Sequence, residues 1–238
     1  MSSDEMKRKA ALAALVHLPD AGIVGLGTGS TTRWFIEAVG QLVEQGRRLT
    51  AVPTSSASRA LAARCGIPLL DDAGPWRLDV CVDGADEVSA ELDLIKGGGG
   101  AHTREKIVNY AARLNVIIVD ESKLVERLGA TRKVPLEVLP FGLRTTLQAL
   151  RALGEPEVRM SGNEPLMSDS NNYIVDLATG PIADPRKLDG ALHALPGVVE
   201  TGLFIARANV VLVASGSGVR ELRRVEGSSV PPSSRKLR

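Results

Sequence analysis

Four segments of this 238-residue chain concentrate side chains able to do chemistry on a small anion. The first is Gly25-Leu26-Gly27-Thr28-Gly29-Ser30-Thr31-Thr32, between an apolar run and a helical pattern. Glycines there let the backbone turn sharply and approach a ligand closely. Free N–H groups at a helix start, with the hydroxyls of Thr28, Ser30 and Thr31, suit a phosphate. A tight turn with a hydroxyl cap would use the same residues. A dinucleotide fits poorly. Ser30 or Thr32 stands where the third glycine of G-x-G-x-x-G belongs, and the next apolar run ends Val52-Pro53-Thr54 with no acid for a ribose diol. A G-x-x-x-x-G-K-[ST] element is also missing, which leaves a small phosphorylated metabolite.

Thr54-Ser55-Ser56-Ala57-Ser58 follows the second apolar run. It either adds hydroxyl donors to the same ligand or only caps the next helix. Asp83-Gly84-Ala85-Asp86-Glu87 ends a later apolar run and places three carboxylates in five residues. A turn at Gly84 lets Asp83 and Asp86 face one cavity, for proton transfer, hydrogen bonds to sugar hydroxyls or Mg²⁺. The plainer alternative is a solvated turn. The fourth segment is Lys96-Gly97-Gly98-Gly99-Gly100-Ala101-His102-Thr103-Arg104-Glu105-Lys106. Each glycine loses extra backbone entropy on folding, roughly 0.5–1 kcal/mol relative to Ala. Such a run between a lysine and a helix is best explained as N–H groups facing a developing oxyanion, with Lys96 adding a cation. Glu105 falls in the first helical turn, where it either points into the same cavity or merely complements the helix dipole. His17, His102 and His193 are scattered without metal-ligand spacing, so no metal site is expected.

The elements that must position these segments alternate. Ala21–Leu26, Leu49–Val52, Ile67–Leu70, Leu78–Val82 and Val116–Val119 read as strands. Residues 31–45, 56–65 and 103–114 read as helices from their apolar spacing. Continuous apolar strands between helices predict a mostly parallel, Rossmann-like α/β sheet covered on both faces. The pattern changes after about Thr131. Strands over 134–139, 157–160, 173–177 and 198–205, with helices over 143–153 and 185–195, predict a smaller α+β unit of split βαβ, ferredoxin-like type. Val210–Val213 is expected to rejoin the first sheet. The domain division expected is 1–130 plus 207–225 and 131–206, with 226–238, rich in Pro and Ser, a disordered tail.

Composition excludes several classes. Lys plus Arg is 29 and Asp plus Glu 28, so a dedicated nucleic-acid binder is not expected. Aromatic residues are 3%, too few for a base-stacking platform. No apolar stretch is long enough for a membrane span. Met1-Ser2-Ser3-Asp4-Glu5 is not a basic stretch leading into an apolar one, and Cys65 and Cys81 form no disulfide framework. Both point to a reducing cytoplasm.

Gly27-Thr28-Gly29-Ser30-Thr31, Asp83-Gly84-Ala85-Asp86-Glu87, the Lys96–Gly100 run with Arg104-Glu105-Lys106, and Glu121-Ser122-Lys123 together resemble one family, ribose-5-phosphate isomerase type A. The resemblance spans about residues 4–224 and includes Gly202-Leu203-Phe204. His102, where an apolar residue is expected, and the tail past about Glu226 depart from it. It implies interconversion of D-ribose 5-phosphate and D-ribulose 5-phosphate in the non-oxidative pentose phosphate pathway, with no metal or organic cofactor and a homodimer or homotetramer. By that resemblance Glu105 is the base, and Asp83 and Asp86 serve ring opening and hydroxyl protons. Lys96 with the Gly97, Gly98 and Gly99 amides stabilises an enediolate. Thr28, Gly29, Ser30, Thr31 and Lys123 hold the substrate beside Gly84 and Ala85, and Lys7 is a weaker phosphate contact. His102 is expected near the pocket rim. A sugar-phosphate-sensing module without catalysis is the alternative; against it stand the full set of acid and base candidates and the lack of a helix-turn-helix pattern.

Overall fold

The computed structural model describes residues 2–224. Helix α1 (Ser3–Ala13) opens the chain, capped by Ser2 and Glu5 bonding reciprocally to each other's backbone N–H. Strand β1 (Ala21–Leu26), helix α2 (Ser30–Glu44), β2 (Arg48–Pro53), α3 (Ser56–Arg64) and β3 (Leu78–Asp83) follow. Two short strands, β4 (Glu87–Val88) and β5 (Leu94–Ile95), precede α4 (His102–Ala111) and the long β6 (Ala112–Asp120). Next come β7 (Val134–Val138), α5 (Leu143–Leu150), β8 (Glu155–Val158), β9 (Met160–Ser161), β10 (Glu164–Pro165), β11 (Tyr173–Ala178) and α6 (Pro185–His193). The chain continues through β12 (Val198–Thr201), β13 (Leu203–Phe204), β14 (Val210–Ser215) and β15 (Gly218–Arg223).

The main sheet has six strands in the order β15-β14-β6-β3-β1-β2, all parallel except the β15 edge. Its two faces are both buried, as the continuous apolar strands require. Along β6, Val116 and Ile118 enter one cluster with Phe35, Ile36 and Val39 of α2. Ile117 and Val119 enter another with Phe204, Val211 and Val213. β1 pairs with β2 on one side and β3 on the other, so the connection reverses direction between β1 and β3. A crevice opens at the carboxyl ends of strands at such a reversal. The loops leaving β1 and β3 are the Gly27–Thr31 and Gly84–Asp86 segments.

A second sheet, ordered β12-β7-β11-β8 and antiparallel throughout, carries α5 and α6 over a core of Leu136, Val138, Leu150, Val175, Leu177 and Leu192. That order is the split βαβ arrangement. Residues 203–204 leave it and pair with β5, so β13-β5-β4 forms a small third sheet.

Several sequence expectations need correction. The strand expected at Ile67–Leu70 reduces to one bridge between Leu69 and Ala51, because Pro68 has no N–H to give a ladder. The helix expected to reach 114 stops at Ala111, and β6 takes Ala112–Leu114 into the sheet. The strand expected over 198–205 breaks at Gly202. A Cβ there would lie 2.3 Å from the Lys96 carbonyl oxygen, so only glycine lets the chain cross. α1 and β15 have no counterpart among the expected elements. The Pro/Ser-rich tail lies outside the described residues. Among those described, no helix is long and apolar enough to cross a membrane.

Candidate active site

The switch-point crevice is a cleft of about 260 Å³. Of the residues expected in the site, Thr28, Gly29, Ser30, Thr31, Gly84, Ala85, Asp86, Lys96, Gly97, Gly98, Gly99, Glu105 and Lys123 line it, and so does Lys7. Asp83 does not; it lies beneath the wall, 2% exposed.

Asp83 is held by the turn it supports. Its Oδ1 accepts from the Thr28 N–H at 3.1 Å and the Gly84 N–H at 2.7 Å. A Cβ on Gly27 would fall 2.7 Å from the Asp83 Cα and closer still to its carboxylate, so this approach demands glycine. The other oxygen, Oδ2, sits 2.9 Å from Lys96 Nζ. Lys96, 3% exposed, also donates to the Gly84 carbonyl at 2.6 Å and reaches Glu105 Oε2 at 3.2 Å. That last contact is an ion pair out of hydrogen-bond alignment, so Glu105 Oε2 keeps an unused lone pair. One ammonium therefore faces two buried carboxylates, an arrangement one proton short of neutrality.

Both carboxyls are pushed up, and Glu105, whose Oε2 has no hydrogen-bond partner while Asp83 accepts two N–H bonds, is the less favoured as an ion. Burial, and then the Asp83 charge, push its carboxyl up to about 8 against the pull of Lys96. Burial also raises Asp83, but Lys96 and two backbone N–H bonds favour its ionised form. Burial works against the Lys96 charge, yet the Asp83 and Glu105 carboxylates outweigh it and hold the ammonium above its ordinary range. Asp86 is half-buried on the cleft wall and accepts from the Gly98 N–H at 2.7 Å.

The polyglycine run turns through a Gly100 N–H bond to the Gly97 carbonyl at 2.9 Å, with Gly97 at φ +103°. Among the described residues, the Gly97 and Gly99 amides have no acceptor. After the carboxyl end of β1, Gly29 (φ +128°) precedes the first residue of α2, and the Thr32 hydroxyl and Arg33 N–H close on its carbonyl. The first N–H groups of α2 are thus left to face the cleft.

Thr54 and Ser55 do not line the cleft. Ser55 caps α3 through a reciprocal pair with Ser58, and both hydroxyls hold the Thr28 hydroxyl, at 2.8 Å from Thr54 and 2.7 Å from Ser55. They act on the cleft by fixing Thr28. Glu87 is also outside it, fully buried, accepting from the N–H groups of Gly129, Thr131 and Arg132 and the Thr131 hydroxyl. It anchors the loop before β7. His102 is not at the rim. It is fully buried behind the polyglycine run, where a Cβ on Gly97 would lie 2.7 Å from its Nδ1, and burial lowers its pKa to about 4.

Sequence reasoning gives no substrate role to Ser3, Thr32, Asp120 and Ser122, which also line the cleft, although Thr32 and Ser122 lie within the first glycine segment and the Glu121–Lys123 motif. Asp120 ends β6 at the carboxyl edge and caps the Glu121–Lys123 turn, a position the strand pattern could have flagged. Ser3 carries no such signal. Among the described residues, no group of three or more His, Cys, Asp or Glu side chains is placed to hold a metal ion.

Fold and site define a class: an α/β protein that presents a carboxylate–lysine–carboxylate cluster to a cleft rimmed by backbone amides. A sequence model of ribose 5-phosphate isomerase A (phosphoriboisomerase A) matches residues 50–218. The ribose-5-phosphate isomerase A of Rhodopseudomonas palustris (strain BisB18) is 47% identical over 94% of this chain and 100% of its own. That of Methanothermobacter thermautotrophicus is 46% identical over 92% and 97%. The structure of the Methanocaldococcus jannaschii ribose 5-phosphate isomerase A superposes with a TM-score of 0.88 at 39% identity, covering 93% of this chain and all of that one. A D-ribose-5-phosphate isomerase in complex with phospho-erythronic acid superposes at 0.90 and 38%, covering 94% and 100%. The chain belongs to the ribose 5-phosphate isomerase A family.

Proposed function

We propose that this chain is a ribose-5-phosphate isomerase, interconverting D-ribose 5-phosphate and D-ribulose 5-phosphate through an enediolate in the pentose phosphate pathway. The observation that carries the reading is Glu105, buried beside Lys96 and lining the same cleft as Gly97 and Gly99, whose amides have no acceptor among the described residues. A proton alpha to a carbonyl is weakly acidic, so a base must act together with oxyanion stabilisation.

In the proposed reaction the phosphate sits among the amides of Gly29–Thr31, the hydroxyls of Thr28, Ser30 and Thr31, and Lys7 and Lys123. Glu105, ionised, removes the C2 proton of the open-chain aldose. The C–H electrons form the C1–C2 double bond, and the C1 carbonyl oxygen takes up negative charge. Lys96 and the Gly97 and Gly99 amides stabilise that charge, while the Gly98 amide holds Asp86. Glu105 then returns its proton to C1, while the hydroxyl proton moves from O2 to O1. Asp86 serves hydroxyl protons from the cleft wall, and Asp83, beneath it, fixes the Lys96 ammonium. Phospho-erythronic acid, bound by the structural relative, supports this reading, since its carboxylate has the two oxygens of an enediolate. Two domains divided near residues 130 and 207, a homodimer or homotetramer, and residence in the cytoplasm belong to the same proposal. The two unpaired cysteines suit the last.

The test is incubation of the purified chain with ribose 5-phosphate and EDTA. Appearance of ribulose 5-phosphate supports the proposal and removes any need for a divalent ion. Tight ligand binding without turnover would support the sensing module instead.

A pH profile follows from Glu105. The base works only when ionised, and its carboxyl in the free protein is raised to about 8. kcat/KM is therefore expected to climb through an acid limb centred near pH 8 and to level above it. Progress curves at saturating buffer capacity from pH 5.5 to 9.5 read this directly. A flat profile between pH 6 and 9 would contradict the assignment.

A further inference from the structure

The polyglycine wall is held from outside the cleft by one arginine of the second sheet. Arg159, directly after β8, donates from Nη1 to the Gly97 carbonyl at 2.9 Å and the Gly98 carbonyl at 3.0 Å. The rest of its guanidinium is committed to Asp176 on β11, Nε to Oδ2 at 2.8 Å and Nη2 to Oδ1. The Arg159 backbone is fixed as well, its N–H donating to the Ile174 carbonyl and its carbonyl accepting from the Leu166 N–H, both at 2.8 Å. The side chain is therefore clamped at both ends. Arg159 and Asp176 are absent from the cleft lining and instead border a separate hollow with Asp86, Gly98 and Arg132.

The consequence is set by peptide geometry. In a trans peptide the carbonyl of one residue and the N–H of the next point in opposite directions. Drawing the Gly97 carbonyl toward Arg159 turns the Gly98 N–H away from it, onto Asp86 Oδ2 at 2.7 Å. Drawing the Gly98 carbonyl toward Arg159 turns the Gly99 N–H away from it, and Gly99 lines the cleft. A glycine run has no side chain to choose between peptide orientations, and each peptide could flip at little steric penalty. The Gly97–Gly98 peptide is also held by the Gly100 N–H on its carbonyl and by Asp86 on its N–H, and the guanidinium reinforces it; for the Gly98–Gly99 peptide the guanidinium supplies the choice. Its planar fork can bind the Asp176 carboxylate with two nitrogens and still present a third to both carbonyls, which a lysine cannot do.

We propose that Arg159, anchored by Asp176, is a positioning residue for isomerisation, orienting the Gly97–Gly99 peptides so that their N–H groups meet the enediolate oxygen and Asp86. Through it the second sheet takes part in catalysis without touching substrate. This rests on the isomerase reading for its catalytic consequence, but the orientation of the amides can be read by binding alone.

The test compares the full-length chain with Arg159→Met, Arg159→Lys and Asp176→Asn. Steady-state kinetics with ribose 5-phosphate give kcat and KM, and calorimetry gives affinities for phospho-erythronic acid and inorganic phosphate. Arg159→Met is expected to lower kcat roughly 10²-fold, the scale of a misplaced oxyanion donor, with KM changed by less than about threefold. Affinity for phospho-erythronic acid falls by a similar factor, because its carboxylate uses the same amides. Affinity for inorganic phosphate stays the same, because that group sits at the α2 end. Arg159→Lys and Asp176→Asn, which keep a long basic side chain in place, show smaller losses in the same order. They carry the test if Arg159→Met does not fold. Unchanged kcat and phospho-erythronic acid affinity in the folded variants overturn the proposal, as does an equal loss of phosphate affinity, which would mean a general distortion of the cleft. A wild-type chain inactive on ribose 5-phosphate overturns the functional reading alone, since the two binding measurements still decide the orienting role of Arg159.

Discussion

Glu105→Gln is expected to lower kcat on the order of 10⁴-fold, the upper range for loss of a positioned base, while phospho-erythronic acid and phosphate still bind. The same change is expected to stabilise the protein in alkali. Glu105 is 4% exposed, and its carboxyl is raised to about 8 from an ordinary value of 4.5. A raised carboxyl holds its proton more tightly folded than unfolded, so its contribution to stability is complete below about pH 4.5 and is lost as pH rises through about 8. Glutamine mimics the protonated acid at every pH. Wild type and variant should therefore melt together near pH 5, and the variant should melt higher by pH 9. A tenfold difference in proton affinity between folded and unfolded chains is worth about 1.4 kcal/mol, so a gap of a few kcal/mol is expected at the alkaline end. Thermal melts at both pH values, alongside turnover and ligand calorimetry, separate the outcomes. Equal melting temperatures at pH 9 would show that Glu105 ionises without penalty. Loss of ligand binding together with turnover would make it structural. The expected pairing of lost activity with gained stability follows from a site that keeps a charge where burial opposes it.

What the sequence reveals about this fold depends on how much of each element is buried. Val116–Val119 reads as a strand because both of its faces are covered and every residue is apolar. β15, with Arg220, Glu221 and Arg223 exposed on the sheet edge, shows no such run and is invisible to the same reasoning. α1 hides for a related reason: it buries only Ala10 and Ala11 fully, and five of its other nine residues are charged. Within the site, local spacing exposes the glycine turns and the acids, since a costly glycine run or a carboxylate at a strand end is conspicuous in a line of text. The convergence of Asp83, Lys96 and Glu105 on one ammonium is a product of strand order, which the line of text does not contain. Glu87 shows the opposite failure. It sits in the acidic segment beside Asp86, but the pleat turns it away from the cleft to bind the Gly129–Arg132 amides. Arg159 is harder still to read, because it acts on backbone carbonyls and those leave no residue-type signature.

Lys96→Met is expected to be the most damaging single change to the fold within the site, and to abolish turnover. Lys96 lies between Asp83 and Glu105, and all three side chains are almost fully enclosed. Methionine fills a similar volume, so the loss is electrostatic rather than a cavity. Removing one partner of a buried ion pair typically costs about 3–5 kcal/mol, because the remaining charge is stranded. For a chain of this size that lowers Tm by roughly 10 °C. Two carboxylates are stranded here, so the penalty has a definite pH dependence. Without the ammonium both carboxyls rise further, and protonation relieves them. The variant should therefore approach wild-type stability in mild acid and fall away from it as pH increases, the reverse of Glu105→Gln, whose advantage over wild type grows over the same range. The double variant Lys96→Met, Glu105→Gln removes one of the two stranded charges and should recover a large part of the alkaline loss, leaving Asp83 held by the Thr28 and Gly84 amides. Urea or thermal unfolding of the four proteins at pH 5.5 and pH 9 closes the cycle. If Lys96→Met destabilises equally at both pH values and the second substitution restores nothing, the three groups do not share one charge balance, and the basis for raising the Glu105 carboxyl falls with it.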